Sequence, residues 1–131
     1  MTIKFQIYKC NICGNLVQIL QEGEGNLICC GEEMQLMNVQ YDTDEIGEKH
    51  APKIETTDNN TKYVHVKTHP MTKEHYVQFI EVFSKDKKEL HLKFFEPEEV
   101  PEMKVEFQNV VEAVEFCNIH HLWGNNKNSY S

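Results

Sequence analysis

With 131 residues and 40% apolar side chains, the chain has material for one ordinary domain, or for a small domain plus a very small one. No apolar run is long enough to span a bilayer, and 13 basic against 21 acidic side chains leave a formal charge of -8. That balance argues against nucleic acid, because phosphate binding needs a basic face.

The N-terminus, Met1-Thr2-Ile3-Lys4-Phe5, lacks the basic and then apolar pattern of a signal peptide, so a cytoplasmic protein is expected. Five cysteines, an odd number, fit a disulfide framework poorly, and in a reducing compartment spaced cysteines are more often metal ligands.

A short strand pattern over residues 4–9 runs into Cys10-Asn11-Ile12-Cys13-Gly14, a C-x-x-C turn in which Gly14 supplies backbone freedom. Residues 16–20 read as a second strand and residues 22–26 as a turn, followed by Cys29-Cys30-Gly31. Cys10, Cys13, Cys29 and Cys30 together make a tetrahedral sulfur site, for zinc or for a rubredoxin-like iron. So short a segment cannot bury enough apolar surface to fold alone, and the metal would supply much of its stability. The rival is a zinc ribbon, but ribbons normally close with a second C-x-x-C. Here the cysteines are adjacent, and neighbouring residues of an extended chain point to opposite faces, so an unusual bent backbone is required.

Residues 34–41 alternate as a strand, and residues 42–60 read as a long polar loop holding Glu48-Lys49-His50. From residue 62 onward the pattern is one of short strands: 63–67, 75–85, 89–95, 103–107 and 110–117, divided by turns at Asp86-Lys87-Lys88 and between Pro97 and Pro101. No helix is evident, which predicts an all-β sandwich or barrel. The tail from Gly124 to Ser131 is polar and expected to fray. His69 lies in a turn and His75 opens a strand, so their imidazoles can converge on one metal. His65 and His91 sit mid-strand and read as surface-facing residues outside any site.

Cys117-Asn118-Ile119-His120-His121 places a thiolate and an imidazole three residues apart, between the apolar walls of Phe116 and Trp123. A tight turn can aim both side chains at one point. Thiolate with imidazole suits zinc, copper or iron and excludes magnesium and calcium.

The four N-terminal cysteines resemble desulforedoxin over roughly the first quarter of the chain. Glu48-Lys49-His50, His69-Pro70-Met71, His75 and Cys117-Asn118-Ile119-His120, in this order, resemble the superoxide reductase family over essentially the whole chain. With the N-terminal cysteines added, the chain resembles the two-iron form of that family, the desulfoferrodoxins. The resemblance implies an all-β chain: a small desulforedoxin-like metal module over residues 1–38, then an immunoglobulin-like β-sandwich over residues 39–131.

It also implies two irons per chain, one on Cys10, Cys13, Cys29 and Cys30. The catalytic iron would take His50, His69, His75 and His120 as equatorial imidazoles and Cys117 as axial thiolate, with the opposite position open. Superoxide would accept one electron and two protons there and leave as hydrogen peroxide, without release of dioxygen. Lys49 would supply the local positive charge that the acidic background lacks. Glu48 would occupy the open position in the ferric resting state and leave on reduction. An external donor such as a rubredoxin would restore ferrous iron, and the family is usually a homodimer. The cysteine-bound iron would either relay that electron or only support the fold and the dimer.

The family usually has glycine after the last ligand, where this chain has His121. If glycine serves there for its backbone freedom, the substitution costs ~1 kcal/mol. His121 is also the alternative to His120 as ligand. Two other functions compete: a non-catalytic two-iron electron-transfer protein, and a zinc-ribbon interaction module that explains the first four cysteines and nothing after them. A blue-copper site uses only two histidines and usually a weak axial methionine, so the surplus of histidines disfavours it.

Overall fold

The computed structural model describes residues 1–41, 50–106 and 110–125, apart from the side chain of Val111. Glu48 and Lys49 lie outside the described residues, as do residues 126–131. The described chain contains twelve strands, β1 to β12, and divides into two compact units, Met1–Asn38 and Val39–Ser131.

In the first unit β1 (Ile7–Lys9) is the centre of an antiparallel sheet, flanked by β2 (Leu16–Gln18) and β5 (Gln35–Met37). A two-residue hairpin joins β3 (Ile28–Cys29) to β4 (Glu32–Glu33). The strands are short and few apolar groups are buried, Ile7, Cys10, Ile19 and Met37 among them. That is too little for independent stability, which leaves the four thiols as the natural organising centre.

The second unit is a sandwich of antiparallel sheets, three strands facing four, the division expected of an immunoglobulin-like fold. One sheet has the order β10-β7-β6, from β6 (Lys53–Thr56), β7 (Lys62–His65) and β10 (Glu102–Val105). The other has the order β12-β11-β8-β9, from β8 (Val77–Ser84), β9 (Leu90–Phe94), β11 (Val110–Cys117) and β12 (His121–Gly124). Between them lies the core of Val64, Val66, Val77, Ile80, Val82, Phe95, Met103, Val105, Val110 and Ala113. Each fully buried Val or Ile there contributes roughly 1.5–3 kcal/mol, so the sandwich has the stability to hold rigid loops at its ends.

Three elements depart from the sequence reading. β6 lies inside the stretch expected to be loop, because only Ile54 of its four residues is apolar and the strand is defined by backbone pairing to β7. The hairpin β3–β4 is too short for any alternation to register. β12 begins immediately after the Cys117–His120 turn, and Gly124, expected to start a frayed tail, is buried and paired with Val114. Asn125 continues the tie, its amide NH donating to the Ala113 carbonyl and its Oδ1 accepting from the Ala113 NH.

Candidate metal centres

The N-terminal donor set is built on two turns. In the first, the backbone NH groups of Ile12 and Cys13 both donate to Cys10 Sγ at 3.4 Å, and Gly14 follows at φ 85°. In the second, Cys29 is extended within β3, while Cys30 and Gly31 turn left-handed at φ 54° and 77°. That bend resolves the difficulty of adjacent cysteines, bringing the sulfurs of Cys29 and Cys30 to 3.9 Å and those of Cys13 and Cys29 to 3.5 Å. The four ligand atoms lie within 4.8 Å of one another.

The two backbone donors hold the Cys10 thiol down to about 6, whereas hydrogen bonding from the neighbouring thiols pushes Cys30 up to about 12. Four sulfurs this close cannot all ionise without a cation among them. The set therefore fits a tetrahedral thiophilic metal.

The second centre sits at one end of the sandwich. His50 precedes β6 and is followed by buried Ala51 and Pro52. His69 and His75 come from the β7–β8 loop, and Cys117 and His120 from the β11–β12 turn. Around the ring, the imidazole centroids of His50–His69, His69–His75, His75–His120 and His120–His50 are 4.4, 4.7, 5.0 and 4.7 Å apart. Successive rings are inclined at 66° to 76°, and His50 faces His75 across the square at 5.9 Å. Four imidazoles bound at ~2.1 Å to one ion would have centroids ~4.6 Å apart along the sides and ~6.5 Å across. The square matches that arrangement closely along its edges and is slightly compressed across His50–His75.

The nitrogens point the same way. His69 Nδ1 lies 2.6 Å from the Pro70 carbonyl, which can only accept, so Nδ1 carries the hydrogen and Nε2 the lone pair. His69 Nε2, His75 Nε2 and His120 Nδ1 are buried without any hydrogen-bond partner. Three orphaned ring nitrogens at one place are costly unless something accepts their lone pairs. Burial, and then the neighbouring His75 and His120, hold His69 down to about 4, and burial lowers His75 as well. Both imidazoles are neutral at neutral pH, as metal ligation requires.

Cys117 is fully buried and its Sγ accepts the backbone NH groups of Ile119 and His120, each at 3.4 Å. Burial nonetheless raises its thiol, helped by nearby Glu115, so a bound cation is needed to hold the thiolate. Asn118 ties this turn to the His75 segment. Its Oδ1 accepts from the Tyr76 NH at 2.9 Å and its Nδ2 donates to the Glu74 carbonyl at 3.0 Å.

Two groups have roles at this centre beyond the sequence reading, which gave Trp123 only as an apolar wall and did not single out Glu115. Glu115, fully buried on β11, places Oε2 3.3 Å from His50 Nδ1. Burial pushes its carboxyl well above the usual range, and a cation on the histidines would restore the carboxylate and fix His50 with Nε2 toward the site. Trp123 stacks on His50 at 5.0 Å and 14°. The period-two alternation of β11 and β12 could have flagged both, since residues 115, 117 and 123 share a face. A second unused signal is the repeated tripeptide Cys-Asn-Ile at residues 10–12 and 117–119.

His120, not His121, brings its ring to the square. His121 instead stacks on Phe116 at 5.9 Å and has φ 71°. His65 is paired with Glu55, Nε2 to Oε1 at 3.1 Å, and neither it nor His91 joins the donor set.

Residues 2–37 match the family model described as the N-terminal domain of desulfoferrodoxin, and residues 42–126 the model described as desulfoferrodoxin. A desulfoferrodoxin homolog of Archaeoglobus fulgidus is 44% identical over 128 residues, 94% of this chain and 98% of its own. The desulfoferrodoxin of Desulfarculus baarsii is 41% identical over 126 residues, 94% and 97%. Among solved structures, a superoxide reductase from Treponema pallidum superimposes with a TM-score of 0.70 at 25% identity, covering 91% of this chain and 95% of that one.

Proposed function

This chain belongs to the desulfoferrodoxin family, and on that premise we propose that it is a superoxide reductase, an oxidoreductase that converts superoxide to hydrogen peroxide and carries two irons per chain. The observation that carries the proposal is the square of four imidazoles with a buried cysteine turn beside it. Cys10, Cys13, Cys29 and Cys30 would hold one iron, and His50, His75, His120 and Cys117 the other, joined by His69, whose ring lies against those of His50 and His75. Ferrous iron bound there would supply the electron that superoxide accepts.

The chain's own residues do the rest. Bound imidazoles add no charge of their own, so among the ligands only the Cys117 thiolate offsets the charge of the bound cation, and the donor set favours an anion although the chain as a whole is acidic. The NH donors to Cys117 withdraw electron density from its sulfur and set how strongly that thiolate donates. Glu115 and the Pro70 carbonyl orient the rings of His50 and His69. Lys49, directly before His50 in sequence, supplies the positive charge that steers superoxide inward and hydrogen-bonds to it, and Glu48 would be the carboxylate that competes with superoxide for the metal. A donor protein such as a rubredoxin returns the electron, the chain pairs as a homodimer, and both events take place in the cytoplasm.

Product stoichiometry tests the proposal. The iron-loaded chain is reduced anaerobically and given superoxide, and peroxide and dioxygen are counted. One peroxide per superoxide without dioxygen is expected. One peroxide per two superoxides with dioxygen would mean dismutation, and no consumption above the buffer rate would leave an electron carrier.

A further inference from the structure

Two side chains from different parts of the sandwich converge on a single carbonyl, that of His120. Gln40 Nε2 donates to it at 2.8 Å and Trp123 Nε1 at 3.0 Å. Gln40 is itself held in place by backbone bonds to the same strand: its NH donates to the Leu122 carbonyl at 3.0 Å, and its carbonyl accepts from the Gly124 NH at 2.7 Å. The residue after the clamped carbonyl, His121, stands at φ 71°, a left-handed conformation that a side chain with a Cβ adopts only at a cost.

The N-terminal turn shows what that position ordinarily requires. Cys10-Asn11-Ile12-Cys13 has the same pair of 3.4 Å NH–sulfur bonds as Cys117-Asn118-Ile119-His120, and the next residue is again left-handed, at φ 85°. There it is Gly14, with open space where a Cβ would stand. The first turn is left-handed at no steric cost, whereas the second must be held.

We infer that Gln40 and Trp123 are positioning residues for the metal-binding turn: together they fix the His120–His121 peptide plane and so compensate for the left-handed His121, keeping the His120 ring in the imidazole square. The direction of a carbonyl is set by ψ of its own residue and φ of the next. Two donors aimed at the His120 oxygen therefore restrict both angles, and with them the way the ligand turn is anchored to β12. Trp123 acts a second time, because the indole that donates to His120 also stacks on His50. Phe116 contributes from the other side by stacking on the His121 ring. The inference rests on the iron-site reading only in taking His120 as a ligand.

The test is a double-mutant cycle in the full-length, iron-loaded protein. Trp123→Phe keeps the stacked aromatic but removes the NH donor, Gln40→Leu removes the other donor, and each is made with His121 intact and with His121→Gly. Ferrous iron lost from the His/Cys centre to a chelator is timed, and the ferric thiolate absorption band is recorded. With His121 intact, each clamp variant is expected to speed iron loss roughly tenfold and to shift the band. With glycine at 121 the acceleration should shrink to about two- or threefold. Equal factors in the two backgrounds would overturn the inference, since the clamp would then do nothing for the left-handed residue.

A parallel measurement needs no metal. In the metal-free chain, amide exchange at residues 121 and 122 should rise more in the clamp variants when residue 121 is histidine than when it is glycine, and equal rises would overturn the inference. If wild-type protein bound no second iron, the functional reading would fail while this exchange result still decided the clamp. If Gln40→Leu does not fold, the Trp123→Phe and His121→Gly cycle decides alone.

Discussion

One tripeptide, Cys-Asn-Ile, opens both metal-binding turns, and in both the cysteine sulfur receives two backbone NH groups at the same 3.4 Å. The consequences are opposite. The Cys10 thiol is held down to about 6, whereas that of Cys117 is raised. Cys10 is shielded from contact with water, but by a thin 38-residue unit and by other thiols, so solvent remains close and the two NH donors dominate. Cys117 lies inside the larger sandwich with buried Glu115 on the same strand, and there desolvation exceeds the same two hydrogen bonds. Local backbone geometry makes a turn ready for metal, and what surrounds it decides how much the site depends on the cation.

That contrast can be broken most severely at the thiolates. Cys117→Ala removes the thiolate beside the imidazole square, and superoxide reduction is expected to fall by at least ~100-fold while the N-terminal iron stays bound. Iron content per chain, read with activity, checks this, and near-normal activity would remove the thiolate from the mechanism. Next in size is Glu115→Gln, which keeps the shape and removes the carboxylate facing His50 Nδ1. Affinity for the second iron should drop ~10- to 100-fold, and competition with a chelator would reveal an unchanged affinity if the pair were only structural.

Acid should then separate the two units. All seven histidines lie at residue 50 or beyond. In the metal-free chain His69 stays neutral down to about 4, while an unfolded imidazole takes its proton near the ordinary value of 6.5. The unfolded state therefore binds the extra proton as pH falls. The stability gained from a neutral His69 is complete above pH 6.5 and is lost progressively toward pH 4, on the order of 1–3 kcal/mol. Urea midpoints of the sandwich between pH 7 and 5 should decline, and a flat profile would contradict the burial argument.

The mildest changes are at the fifth position of each turn. Gly14→Ala meets no atoms but forces a Cβ into φ 85°, at a cost of about 1 kcal/mol. His121→Gly relieves strain but gives up the stack on Phe116 and gains chain entropy in the unfolded state. Thermal unfolding should therefore move by less than ~1 kcal/mol in either direction. A loss well beyond that would show that the His121 side chain has a larger duty.

The sequence was most informative where chemistry constrains residue type. The nine thiol and imidazole groups now gathered in two places were legible because cysteines and histidines at short spacings have few other uses. β8 and β11 were legible as apolar-rich runs between turn signals, because both strands are buried along almost their whole length. β6 was hidden because its residues are polar and only its backbone pairs, and β12 because the turn before it drew attention to its ligands instead. Glu115 and Trp123 were not legible as site residues because the His50 ring that both meet lies 65 residues from Glu115 and farther still from Trp123, on a segment brought to them only by the sandwich. Cys30 marks the boundary between the two: its adjacency to Cys29 predicted a bend, and the fold supplies it as a left-handed residue.

The central claim is that superoxide is reduced at the His/Cys centre and that the four-cysteine centre never meets substrate. Single-turnover reduction by the full-length Cys13→Ser protein tests it most directly, with the C-terminal iron loaded and reduced beforehand. One peroxide per superoxide at the wild-type rate is predicted, with any defect confined to later re-reduction by the donor. Loss of that first peroxide, with the second iron still in place, would contradict the account.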